Sequence, residues 1–210
     1  MQAEAKSYKG HNITVEYQND PSSPRENDNI CVFHIGHSRY AFGDKNYQDR
    51  QGIDDAFQKA KKAGDIVLPL YIYDHSGITI SLSPFSCPWD SGQVGFIQVP
   101  KKTMIKEFGK KNFTKALRAK ALDWAKMEVE EMDGFVRGEV FGYIVDGDKD
   151  HEHSCWGYYS IEDAMDEAEG IINWIVADET KKHHEQIKTW IKNKVPYRNR
   201  HSLQKALSIN

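Results

Sequence analysis

Apolar and polar residues alternate with a period of two in several short runs of this chain and recur every three or four positions in a few longer ones. The first pattern sends successive side chains to opposite faces of a strand; the second lines one face of a helix. Asn12–Gln18 (NITVEYQ) and Ile30–Ile35 (ICVFHI) therefore read as strands, with the turn formers of Asn19–Asn29 between them. Gly36–Asp49 shows no period. Gly52–Ala63 predicts a short helix with Ile53, Ala56, Phe57 and Ala60 on one face and Gly64 as its stop. Asp65–Tyr73, Ile78–Leu82 and Gln93–Val99 predict a three-strand meander. Pro69 lacks an N–H, so the first of these should lie on an edge or at a bulge.

Past Pro100, Lys101–Phe108 starts a helix and Thr114–Asp133 forms a better one, with Leu122, Ala125, Val129 and Met132 as a buried stripe and Gly134 as its end. Arg137–Val145 and Ser154–Tyr159 alternate around Asp146–Asp150, the pattern of a hairpin. Ser160 followed by Asp163 resembles a capping box. It opens a long helix with Ala164, Ala168, Ile171, Ile172 and Ile175 inward; Pro196 ends it, and Ser202–Ile209 adds a short helical turn. Without βαβ alternation the expected class is α+β: a mainly antiparallel sheet, three or four packed helices and a helical basic C-terminal tail. The expected division is an α+β body over 1–177 and a basic extension over 178–210.

Charge sharpens that division. The 210-residue chain has a formal net charge of −3, unevenly spread. Segment 123–169 is acidic, whereas beyond Lys181 the tail carries Lys182, Lys188, Lys192, Lys194, Arg198, Arg200 and Lys205 against Glu185. Such a run is either a solvated helix face or an end that meets an acidic partner. Trp190 and Tyr197 lie among the cations, where aromatics can stack on bases; a basic amphipathic helix serves equally as a protein-binding element. No apolar run is long enough to span a bilayer, and MQAEAKSYKG has no apolar segment that could act as a secretion signal, so a cytoplasmic protein is expected. Cys31, Cys87 and Cys155 are far apart and form no CxxC pair, which predicts buried thiols rather than a disulfide framework or zinc site.

Candidate chemistry concentrates between Leu70 and Val99. A thiol nucleophile needs a base within reach and a third group to orient that base, and His75, Cys87 and Asp90 supply these types, with Gln93 as an oxyanion donor. Against this, Cys87 precedes Pro88 and opens no helix. The structural account has Asp74 and Asp90 capping turns and Trp89 plugging the core. His151, His153 and Cys155 share a strand face, but their spacing matches no established zinc pattern, so no metal is expected. No phosphate-binding glycine motif is present. Arg39 with His37 could meet an anion or simply pair with a surface carboxylate. Trp156 and Tyr158 fall on one strand side; exposed, Trp156 would mark an interface.

SPRENDN (Ser23–Asn29), FH followed by RY-x-x-GD (Phe33, His34, Arg39, Tyr40, Gly43, Asp44), LPLYIYDHSGITIS (Leu68–Ser81), PFSCPWDSGQVGFI (Pro84–Ile97), and GEVFGY with SCWGYY together resemble a family of small uncharacterised proteins of bacteriophages and integrative mobile elements. The resemblance covers most of Ile13–Tyr159; the DHSGITIS and SCPWDSGQVG blocks are its specific part, and the chain beyond about Ala177 lies outside it. That family carries no assigned reaction, so the resemblance implies a setting rather than a site. It points to an accessory protein in the host cytoplasm that binds and inhibits a host factor, such as a restriction or CRISPR-type defence nuclease (an anti-CRISPR role). Arg39, Trp156, Lys188, Trp190, Lys192, Lys194, Arg198 and Arg200 are then the candidate binding residues. The partner is a host protein or protein–nucleic acid complex, with nucleic acid contact through the tail and no membrane. Two alternatives stand beside this reading. One is a cysteine-dependent hydrolase or transferase using His75, Cys87 and Asp90, with Arg25, Asp28 and His34 nearby. The other is a binder of small nucleotide signals. No cofactor is expected in any of the three.

Overall fold

A computed structural model of the chain describes residues 1–147 and 153–207. In chain order the elements are β1 (Gln2–Tyr8), β2 (His11–Tyr17), a short 3-10 turn (Pro24–Glu26), β3 (Val32–Ile35), β4 (Lys45–Asn46), α1 (Arg50–Ala63), β5 (Ile66–Asp74), β6 (Ile78–Ser81) and β7 (Ser91–Val99). They continue with α2 (Lys101–Glu107), α3 (Lys115–Arg137), β8 (Phe141–Val145), β9 (Ser154–Tyr158), α4 (Ile161–Lys194) and α5 (Tyr197–Ala206). The α+β class is as expected, with two sheets rather than one. No described helix is long and apolar enough to cross a membrane.

The chain folds into two compact units: residues 18–140 form one, and residues 1–17 with 141–210 form the other. The expected boundary at 177 does not separate them, because α4 runs unbroken across it.

In the 18–140 unit a five-stranded sheet has the order β4-β3-β7-β5-β6, antiparallel except for β3 with β4. Phe33, Ile35, Ile97 and Leu70 are buried on the face that meets Leu117, Ala121, Ala125 and Met132 of α3. His34 and Phe96 alternate to the other face, where Phe57 of α1 meets Phe96 edge-on, ring centroids 5.3 Å apart. Ile53, Ala56, Phe57 and Ala60 do form the inward side of α1, with Asp49 capping its start and Gly64 (φ 75°) its end. β5, β6 and β7 are not a meander. β5 lies between the other two, because the chain from Leu82 to Asp90 returns across the end of β5 instead of turning back beside β6. Pro69 sits where β5 has a partner only in β7, since β6 begins pairing at Tyr71, and next to a register shift at Leu70/Tyr71.

Two expectations for α3 fail. Gly134 is buried within the helix, which continues to Gly138 (φ 74°), and Leu122 is 38% exposed. The true stripe (Leu117, Ala121, Ala125, Val129, Met132) includes the buried carboxylate Glu128.

In the other unit the sheet order is β1-β2-β8-β9, all antiparallel. β8 and β9 form the predicted hairpin; β1 carries no clear alternation and escapes a reading of the sequence. Ser160 accepts from the Asp163 N–H at the start of α4, and Ala164, Met165, Ala168 and Ile172 bury against Ile13, Val15 and Tyr143. The 34-residue α4 outruns the four-stranded sheet that its first half covers. At its end Val195 and Pro196 break the helix, and α5 begins at Tyr197, earlier than the expected Ser202.

Candidate functional site

The Leu70–Val99 block brings His75, Cys87 and Asp90 together, but in an order unsuited to thiol catalysis. Asp90 is the middle member: its Oδ2 lies 3.1 Å from His75 Nδ1 and accepts from Cys87 Sγ at 3.8 Å. Among the described residues Cys87 Sγ has no hydrogen bond to the imidazole, so the group that would take its proton is the carboxylate. A thiolate beside a carboxylate is disfavoured by like charge. The rest of the loop is held as a scaffold. Asp74 N–H donates to the Asp90 carbonyl (2.8 Å), His75 N–H to the Gly77 carbonyl (3.0 Å), and the Ser91 hydroxyl to the Cys87 carbonyl. Gln93 donates to its neighbour Gly95 rather than into an oxyanion site. Trp89 does not plug the core: it is 91% exposed, carried outward by the returning loop. Arg39 donates to Asp74, the carboxylate pairing weighed for it above.

Arg25, Asp44 and Glu128 form the densest charge cluster. Arg25 gives Nη1 to Glu128 (2.8 Å), Nη2 to Asp44 (2.9 Å) and to the Cys31 carbonyl (2.6 Å), and lies 4.2 Å over the Phe33 ring. Glu128 also accepts from Ile30 and Cys31 N–H, and Asp44 from Phe33 N–H. Every arm is used inside the cluster, and Arg25 and Glu128 are 7% and 6% exposed at the side chain. The SPREND and GD blocks thus clamp the start of β3. Cys31, beside Glu128, is buried, and desolvation pushes its thiol far above the ordinary range. Asp28 takes no part in the hydrogen bonds of this cluster.

His34 belongs to a second internal chain. Its Nε2 donates to Gln98 Oε1 (2.9 Å), whose Nε2 donates to Asp65 (2.6 Å); its Nδ1 therefore accepts from Tyr47 OH (2.8 Å). The imidazole is stacked 4.2 Å from Phe96, and burial lowers its pKa below the usual 6.5. This is a neutral, positioned histidine that fastens two strands.

In the other unit Cys155 is exposed, against the expectation of a buried thiol, because β9 is the last strand of its sheet. His151 lies outside the described residues, and among those described no three His, Cys, Asp or Glu side chains are placed to hold a metal. His11 pairs with Asp146 at 2.6 Å; this bond and the Asn12 N–H hold that carboxyl below its ordinary range. Trp156 is 38% exposed, yet its ring lies over Gly142, where an added Cβ would sit 2.1 Å from it. Its inner edge is structural and its outer edge faces solvent.

The remaining candidates converge. α5 folds back on the end of α4, with Ile191 fully buried there, and Arg200 Nε secures the corner by donating to the Val195 carbonyl at 2.8 Å. A concavity of about 640 Å³ opens between the two helices. Lys188 and Lys192 line it from α4, and Arg198, Arg200 and His201 from α5, with no carboxylate among its described lining. Tyr197, 86% exposed, stands at its rim. Trp190, 56% exposed, and Lys194 border a neighbouring hollow with Lys182. Sequence reading found the cations but missed His201 and Gln204 and the cleft itself. The available signal was Pro196: a proline at a helix start, followed by YRNRH, places a second helix beside the first. Comparison with family models, with curated proteins and with solved structures returned no match.

Proposed function

We propose that this protein acts by binding rather than by turnover, and that the α4–α5 cleft is where it holds the nucleic acid of a host nucleoprotein complex. In the mobile-element setting implied by the DHSGITIS and SCPWDSGQVG blocks, that complex is a defence nuclease of the restriction or CRISPR type, in the host cytoplasm, and the outcome is inhibition. The observation that carries this reading is the cleft: Lys188, Lys192, Arg198 and Arg200 converge from two helices, with exposed aromatics beside them. Phosphates recruit such cations with release of counterions, and a base can stack on Tyr197 or Trp190.

The test is fluorescence anisotropy with labelled duplex and single-stranded DNA across a salt series. Binding that weakens steeply with salt is expected, and Arg198→Glu with Lys192→Glu should weaken it at least about tenfold and flatten the salt slope by about one per lost phosphate contact. Absence of binding at low salt, or equal binding by the charge-reversed chain, defeats the reading.

A further inference from the structure

α4 is polarised along its length. Its exposed side chains are acidic near the start (Glu162, Asp163, Asp166, Glu167) and basic toward the end (Lys181, Lys188, Lys192). With 3.6 residues per turn, Asp163, Glu167, Trp174, Lys181, Lys188 and Lys192 fall on one stripe. That stripe lies opposite the face on which Ala164, Ala168 and Ile172 are buried. Trp174 stands at its middle, 62% exposed, where a helix face meeting only water has little use for an indole.

We infer that two copies of the chain pair through this stripe, α4 against α4, antiparallel. The argument is charge complementarity. Turned about an axis at Ala177/Asp178, the stripe meets itself with Asp163 facing Lys192, Glu167 facing Lys188 and Trp174 facing Lys181. Each contact occurs twice, as a two-fold interface requires. The central pair places an ammonium against an indole face, a favourable cation–π arrangement. Glu185, the acid within the basic half, faces Gly170 and meets no carboxylate directly. A parallel pair would set acid against acid and base against base, so the charge pattern selects one direction. The dimer does not depend on the nucleic acid reading. Lys188 and Lys192 belong to both surfaces, so DNA and a second copy compete for them.

Sedimentation velocity on the full chain tests the pairing. A dimer is expected at low salt, dissociating toward 1 M as the screening length falls from about 10 Å at 0.1 M to about 3 Å. Lys188→Glu with Lys192→Glu should give a monomer, as should Asp163→Lys with Glu167→Lys; mixing the two variants should restore a dimer with all four contacts of matched sign. Should either variant lose helix content, cross-linking decides instead. With Cys87 and Cys155 replaced by serine, Ala177→Cys should form a disulfide-linked dimer under mild oxidation and Lys192→Cys should not. A monomeric wild-type chain at low salt, variants that remain dimeric, or cross-linking through position 192 would overturn the inference. Loss of DNA binding with the dimer intact would count against the proposed function alone.

Discussion

Arg25 and Arg198 carry the same guanidinium in opposite surroundings. Arg25 is enclosed by Glu128, Asp44, the Cys31 carbonyl and the Phe33 ring, and each of these is itself fixed by backbone N–H groups or by the sheet. Arg198 is exposed on a ten-residue helix among other cations. Desolvated charge survives only when fully partnered, so the first cluster is bound to its own fold and has nothing left for a ligand. Charge gathered at a surface without counter-charge costs self-repulsion and gains only when an anion arrives. Residue type therefore says little about role in this protein; the count of partners already met says much more.

The comparison breaks most sharply at Arg25. Arg25→Ala leaves two carboxylates buried without their cation, and a loss of about 3–5 kcal/mol is expected in urea denaturation. Gly95→Ala comes next: a Cβ there would lie 1.9 Å from the His34 carbonyl oxygen, backbone against backbone, and should cost about 3 kcal/mol or prevent folding. At the other pole Arg198→Glu should change stability by no more than about 0.5 kcal/mol, as exposed substitutions do, while DNA affinity drops; a comparable loss of stability would make the cleft structural and erase the contrast.

His34 supplies a smaller, pH-dependent test. Its folded pKa is lowered by burial, so near and below pH ~6.5 the unfolded chain binds a proton that the native state resists. Stability is full above that pH and falls as pH drops through the folded value. In His34→Gln this part of the acid slope should vanish, read as a flatter dependence of the urea midpoint between neutral and mildly acidic pH. Smallest of all is Cys87→Ser, for which unchanged stability and DNA affinity are expected; an abolished function would reopen the thiol reading.

Much of the fold was legible because burial writes a period into the chain. The inward sides of α1 and of the first half of α4, the β8–β9 hairpin and the edge character of Pro69 all follow from spacing. What escaped depends on contacts remote in sequence. Glu128 reads as a surface residue until Arg25, 103 positions away, is seen beside it. The place of β7 beside β5 rests on the path of the Leu82–Asp90 loop, and loop paths leave no period. Gly134 looks like a stop because glycine often ends helices; here it is buried within one. Of the site, the cations were visible and their convergence was not, since that required knowing that the chain doubles back after Pro196.

The β2–β8 pairing has a consequence for biosynthesis. Tyr17 is register partner to Phe141, and Gln18 N–H donates to the Val140 carbonyl at 2.7 Å. Residues 18–140 are thus a continuous excursion whose two ends meet, and everything they require has left the ribosome before β8 is made. The opening β1–β2 hairpin must wait for α4 to bury its apolar side. A growing chain therefore completes its middle first and its two extremities together, last, so early termination near residue 160 should leave the middle folded and the N-terminal strands open to proteolysis.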